Sequence, residues 1–173
     1  MDIKQVSTDC FITYSGLCMN VFSPTPEMIC IEDIAHALSL ECRWGGHIRR
    51  MYSVAQHSVE VAYRVPLEMQ LQALLHDASE AYLKDIPSPI KAHLPDYKAL
   101  ENGLMMAIAE RFGFAWPMYP QVKAADRRQL DVEWQMIVNG SRVGNEPGVA
   151  EYLFLSEYRK IVSFTRLNSH YSP

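Results

Sequence analysis

Along most of this chain apolar residues recur three and four positions apart, the spacing of helices that bury one face. Ile34, Ala35, Leu38 and Leu40 mark a helix from about Glu32 to Leu40. Ser53 is placed to cap a second helix that runs to about Arg64, with Val54, Val61 and Val65 on its apolar side. Pro66 opens a third, continuing through Leu67, Leu71, Leu74 and Leu75 to about Leu83. Pro95 starts a fourth, striped by Leu100, Leu104, Ile108 and Phe112 and stopped by Gly113. Residues 119–138 form a fifth with Val122, Ala125, Leu130 and Trp134, and Val149–Leu167 a sixth carrying Tyr152, Phe154, Tyr158 and Phe164.

Between the helices the pattern changes. FITY (11–14) and CMNVF (18–22) flank the turn pair Ser15-Gly16, which predicts a short N-terminal β-hairpin. Pro24 and Pro26 end it. CRWGGHIRRMY (42–52) is irregular, IPSPIK is a proline-punctuated connector, and NGSRVGNEPG is an exposed loop. The expectation is an all-α bundle of about six helices with a small β element. It forms one domain over 1–173, with no internal repeat.

Composition narrows what such a bundle can do. Of 173 residues 49% are apolar, enough for a core that needs neither disulfide nor metal, so a metal is free to serve chemistry. A net charge of −4 argues against a nucleic-acid polymer as partner. A small anion needs only local cations, for which Arg43, Arg49, Arg50, Lys84, Lys91, Lys123, Arg127 and Arg128 are available. Cys10, Cys18, Cys30 and Cys42 form no C-x-x-C pair and follow no secretory leader, so reduced thiols in a cytoplasmic protein are expected. No apolar run has membrane-spanning length.

The chemistry concentrates in LLHDASEAYLKD (74–85). On a continuous helix His76, Asp77 and Glu80 reach one side. An ionised Asp buried beside a His needs a partner cation, and a divalent metal supplies one while leaving Glu80 to handle a proton. Set against this is a solvent-facing His and Asp. His57, in VAQHSVEVA, and Asp126, in VKAADRRQL, sit on two other helices; by themselves they read more readily as a core histidine and an exposed or capping acid. Taken together, the four form an N/O donor set suited to Co²⁺, Mn²⁺, Zn²⁺ or Fe²⁺.

The order H…HD…D on helices resembles the HD-domain metal-dependent phosphohydrolases. HDASEAYLKDIPSPIK is similar to their 5′-deoxynucleotidase branch and to small phage enzymes that remove phosphates from dATP, over about residues 30–135. The resemblance implies an HD-domain fold with His57, His76, Asp77 and Asp126 as metal ligands, Glu80 as the proton-transfer residue and Asp85 as its assistant. It implies that Arg43 grips phosphate, Trp44 packs on the sugar and Lys91 holds a phosphate oxygen, with Mg²⁺ accompanying a triphosphate. An Arg fork suits phosphate, and a Trp face can exclude a 2′-hydroxyl.

Gly46 and His47 are further candidates for substrate contact. Gly45-Gly46 stands where the deoxynucleotidases carry bulkier residues, which implies a different base pocket. His36, His93 and His170 read as surface or packing residues, and Arg127-Arg128 as a solvated face. The implied function is hydrolysis of a deoxynucleotide (dATP, dADP or dAMP) at the 5′ phosphate ester by a homo-oligomer, a hexamer ahead of a dimer. The alternatives are an HD phosphohydrolase acting on a cyclic nucleotide or alarmone, and a non-catalytic nucleotide-binding regulator.

Overall fold

The structure, a computed structural model, describes residues 9–138, 140 and 144–169. It is an all-α bundle with a two-stranded antiparallel hairpin at its N-terminal end. Strands β1 (Phe11–Ile12) and β2 (Cys18–Met19) pair Phe11 with Met19 and Ile12 with Cys18. The helices are α1 (Ile31–Leu40), α2 (Val54–Ala62), α3 (Leu67–Leu74), α4 (Glu80–Leu83), α5 (Ser88–Lys91), α6 (Pro95–Phe112), α7 (Pro120–Val138) and α8 (Pro147–Ser169). No helix among the described residues is long and apolar enough to cross a membrane.

Helix α2 is the centre of the bundle, packed against α1, α3, α7 and α8. Ser53 caps it as expected, its side chain accepting the Gln56 N–H, and every residue of the helix except Glu60 is buried. That burial explains a helix whose sequence alternates small apolar residues with Gln, His and Ser: its polar groups face other helices rather than water. Around it, Ile34, Leu38, Leu74, Leu75, Leu104, Ile108 and Phe154 fill a single core.

Among the described residues eight α-helices replace the expected six, for two reasons. The IPSPIK connector coils into the one-turn α5. More importantly, the helix expected from Pro66 to Leu83 breaks at the His-Asp pair. The His76 ring donates its Nδ1 hydrogen to the Ala73 carbonyl at 2.7 Å, taking the acceptor that a continuing helix would use. The backbone then tightens to i→i+3 bonds, Ala78 to Leu75 and Glu80 to Asp77, before α4 begins. His76 and Asp77 therefore occupy a turn, not the middle of a helix.

Two further expectations are corrected. Cys10 and Cys18 are joined in a disulfide, their Cα atoms 5.8 Å apart across the hairpin, while Cys30 and Cys42 are free thiols. The separation of cysteines along the sequence concealed a proximity that strand pairing creates. On α7, Val122 and Ala125 are buried, but Leu130 and Trp134 are exposed, because that stripe turns from the core, Leu130 to the wall of a cavity and Trp134 to the Trp44 ring. The 139–148 loop lies partly, and His170 wholly, outside the described residues. On α8, Phe154 is in the core, whereas Tyr152 and Phe164 are exposed, as are Phe11, Ile12, Tyr14 and Phe22 near the hairpin.

One carboxylate ties the hairpin turn to α1, beside the stack of Tyr14 on His36. Asp33 in the first turn of α1 accepts the Ser15 backbone N–H at 2.6 Å and the Ser15 hydroxyl at 2.8 Å. Burial would raise its carboxyl, but hydrogen bonds from Thr13 and Ser15 outweigh this and hold it below the ordinary 3.8. A depressed value contributes stability above 3.8 that disappears as pH falls through the folded value. Asp33→Ala should lower stability by about 2–3 kcal/mol at neutral pH, the scale of charge-assisted hydrogen bonds. Urea unfolding should give a wild type-to-variant gap that is constant above pH ~5 and narrows in stronger acid. A gap independent of pH would assign Asp33 a neutral packing role.

Candidate functional site

Three segments deliver the candidate donors to one point. His57 comes from α2, Asp126 from α7 and His76-Asp77 from the turn between α3 and α4. The ligand atoms of His57, His76 and Asp126 all lie within 4.8 Å of one another. His57 Nε2 is 3.3 Å from His76 Nε2 and 3.1 Å from Asp126 Oδ1. Asp77 Oδ2 closes on the same point, 3.1 Å from His76 Nε2 and 3.8 Å from His57 Nε2.

The far side of each ring fixes what its near side can do. His76 Nδ1 faces a carbonyl oxygen, which only accepts, so it carries the hydrogen. His57 Nδ1 lies 2.8 Å from Glu133 Oε1 and donates to it. In the neutral rings both Nε2 atoms are then lone pairs, pointed at each other and at carboxylates. Such a set is stable only around a cation, and it is the usual presentation of metal-binding imidazoles. These residues fit a divalent metal.

Protons compete for the same place. Burial alone would lower the His76 imidazole, but Asp77 and Asp126 outweigh it and hold it well above its ordinary value. Asp126 is in turn lowered: the His57 and His76 rings that face it overcome its burial. Asp77 is lowered too, mainly by His76 acting against desolvation.

Glu133 was not singled out in the sequence. It is fully buried, and its Oε1 also accepts from the Tyr52 hydroxyl at 2.9 Å and from Gln129 Nε2 at 2.9 Å. Its Oε2 forms an ion pair with Arg43 Nε at 3.2 Å. The one signal for it is periodic: it lies two helical turns after Asp126, on a helix already assigned a ligand.

Beside the donors opens a cavity of about 460 Å³, the right scale for a small molecule. Arg43, Trp44, Glu80, Asp85, Lys91 and Leu130 are among its lining residues, together with Asp77 and Asp126. Arg43 and Trp44 are carried there by a loop closed at its base, where Cys42 bridges Ser53 and the Arg43 N–H bonds the Tyr52 carbonyl at 3.0 Å. Trp44 is held in the left-handed region at φ 56°, a conformation that costs a non-glycine residue energy. Its ring packs at 6.3 Å from both Tyr52 and Trp134, with the Arg43 guanidinium 5.1 Å above it.

On the opposite wall Lys91 Nζ contacts Glu101 at 2.6 Å and Glu80 Oε1 at 3.6 Å. The other Glu80 oxygen is buried without a hydrogen-bond partner. Burial, then the charges of Asp77 and Asp85, keep the Glu80 carboxyl well above the usual range despite Lys91 and Arg43. Burial also raises Asp85, with Arg43 opposing.

No family model matches the chain. It is 44% identical to YfdR of Escherichia coli (strain K12), an uncharacterized protein, over 121 residues that span 70% of this chain and 68% of YfdR. The chain belongs to the family of YfdR. An uncharacterized protein of Rhodobacter capsulatus is 37% identical over 141 residues, with 73% of this chain and 72% of that protein covered.

In this member of the YfdR family, nine of the eleven residues expected at the site gather there: the four donors and five others around the cavity. Gly46 and His47 do not line it. Left-handed turns at Trp44, Gly45 and Gly46 carry the chain outward, leaving Gly46 and His47 exposed. Of the basic residues, Arg43 and Lys91 line the cavity, whereas Lys84 pairs with Glu41 at 2.7 Å. His36 has the packing role expected of it, stacked on Tyr14 and paired with Glu151.

Because His76 is raised, the metal-free protein holds a proton there at neutral pH, and a ligand must be neutral. In the metal-free protein that proton stabilises the fold below the unfolded imidazole value, an effect lost as pH rises through the higher folded one. Binding of Co²⁺ at pH 7 should release about one proton, and apparent affinity should rise with pH until the folded value is passed. Calorimetric titration in buffers of different ionisation enthalpy measures this. No release at pH 7 would mean that His76 is already neutral.

Proposed function

We propose that this chain is a metal-dependent phosphohydrolase of the HD-domain type, hydrolysing a deoxynucleotide at its 5′ phosphate ester in the cytoplasm. The observation that carries the reading is the meeting of His57, His76 and Asp126 beside a cavity that also presents Arg43, Lys91 and Glu80, whose carboxyl burial holds well above the usual range. Cations, an acid and a candidate metal centre within one small-molecule cavity match the needs of phosphoryl transfer to water.

His57, His76 and Asp126 would hold the metal, with Asp77 as a fourth donor. When bound, it would supply Lewis-acid polarisation of a phosphoryl oxygen and a water of lowered pKa. Arg43 and Lys91 bind phosphate oxygens and offset the charge that builds on them. Glu80, whose carboxyl burial and neighbouring carboxylates hold well above the usual range, donates a proton to the departing 5′ oxygen. Asp85 takes the proton of the attacking water. Water and ester thus become deoxynucleoside and phosphate, or polyphosphate from a triphosphate. Trp44 lies along the sugar and leaves no room for a 2′-hydroxyl. Adenine as the base rests on the resemblance to dATP-acting enzymes alone.

Phosphate or polyphosphate release from dAMP and dATP should require a divalent transition metal and stop with EDTA. Glu80→Gln should retain metal yet lose ~10²–10⁴ in rate, the range for general acid–base catalysis. Metal loss in that variant would make Glu80 a ligand. Absence of turnover of any nucleotide across a panel of metals would overturn the reading.

The sugar is tested separately. Wild type should favour dATP over ATP by ~30- to 1,000-fold, equivalent to a clash of about 2–4 kcal/mol. Trp44→Ala should collapse that ratio. Equal wild-type rates would remove Trp44 from sugar selection, and faster turnover of dGTP would remove adenine.

A further inference from the structure

We propose that Glu133 is the positioning residue for both halves of the site. One oxygen sets the His57 tautomer that offers Nε2 to a metal, and the other aims the Arg43 guanidinium at phosphate. The inference deepens the metal-dependent reading above and rests on it.

The two oxygens have separate work. Three donors converge on Oε1: His57 Nδ1–H at 2.8 Å, the Tyr52 hydroxyl at 2.9 Å and Gln129 Nε2 at 2.9 Å. Oε2 faces Arg43 Nε alone, as an ion pair at 3.2 Å without hydrogen-bond geometry. Arg43 has a second carboxylate within reach, Asp77 Oδ2 at 3.7 Å from Nη1. Without Glu133 the guanidinium would be drawn onto Asp77, a candidate ligand, and His57 Nδ1 would lose the acceptor that fixes its ring. Neither Gln129 nor Glu133 has any exposure, so water cannot substitute for the lost carboxylate. The same buried group therefore governs metal donor and phosphate arm, which stand on different elements, α2 and the 43–52 loop.

The asymmetry of the contacts makes the test selective. In Glu133→Gln the three donors keep the amide oxygen at the Oε1 position, which turns its NH₂ group against Arg43 Nε–H. The His57 contact survives and the Arg43 contact does not. Co²⁺ affinity should change by less than ~5-fold, while inorganic phosphate binding to the Co²⁺-loaded protein weakens at least ~10-fold, because a buried ion pair that orients Arg43 is lost. Glu133→Met removes both contacts and should weaken Co²⁺ by a further ~10- to 100-fold, as for lost partners of metal-binding imidazoles.

Both affinities are read by calorimetry on the full chain, at a temperature where circular dichroism finds each variant folded. Unchanged Co²⁺ and phosphate affinities in both variants, with only a lower Tm, would reduce Glu133 to a structural role and overturn the proposal. ¹⁵N NMR of wild type covers the case of a variant that does not fold: His57 should carry its hydrogen on Nδ1, and an Nε2–H form would overturn the proposal directly. These readouts do not depend on turnover. A wild type that binds Co²⁺ but hydrolyses no nucleotide sinks the hydrolase reading and leaves Glu133 as a positioning residue. An active wild type whose Met variant keeps its Co²⁺ affinity sinks the inference alone.

Discussion

Two imidazole Nε2 atoms held 3.3 Å apart inside a protein, with a carboxylate oxygen 3.1 Å away, require a positive charge among them. In the metal-free chain a proton on His76 provides part of it; a divalent metal would provide more. This electrostatic demand explains features that packing alone leaves unaccounted for. A buried Glu133 would be costly in an apolar core, but here it neutralises Arg43 and fixes His57. A break in a helix between two leucine-rich stretches would weaken the bundle, yet it turns His76 and Asp77 toward α2 and α7 together.

The remainder of the fold serves to keep those groups in place. Helix α2 can carry His57 because it is enclosed on several sides, so its ring has no solvent-facing alternative. Helix α7 does two jobs along its length. Val122 and Ala125 anchor it to the core, Asp126 and Glu133 reach the centre, Leu130 lines the cavity and Trp134 packs on Trp44. The 43–52 loop is tied to the start of α2 by the Cys42–Ser53 bridge, which couples the placement of Arg43 to the helix that carries His57. The site is therefore centred on the buried helix α2 and on segments packed against it, which favours a pre-formed geometry over one assembled on binding.

Much of this was legible in the residues. Ser53 as a cap, Pro95 and Gly113 as the limits of a helix, and Ser15-Gly16 as a turn are local instructions, and each forms where its backbone preference places it. The donors were legible as types: His57 and Asp126, each unremarkable alone, complete an N/O donor set beside the His76-Asp77 pair. What stayed hidden involved a choice between partners. The helix from Pro66 looked continuous because Leu and Ala propensity favours it, and the His76 contact to Ala73 that breaks it is a competition that periodicity does not register. Leu130 and Trp134 fit an apolar stripe, but the stripe does not say whether its far end meets core or cavity.

By itself, then, the order of apolar and polar residues determined that the chain is helical, where most helices begin and end, and which side chains can bind a metal. Those properties are local, set by backbone propensity and donor chemistry within a few residues. Only the tertiary structure decided that Cys10 reaches Cys18, that Gly46 and His47 turn away from the cavity, and that Glu133 joins His57 to Arg43. Each depends on two segments meeting at hydrogen-bonding or covalent distance. Residues 57 and 133 are in contact because α2 and α7 pack in one register, and a register between helices is fixed by the whole core at once.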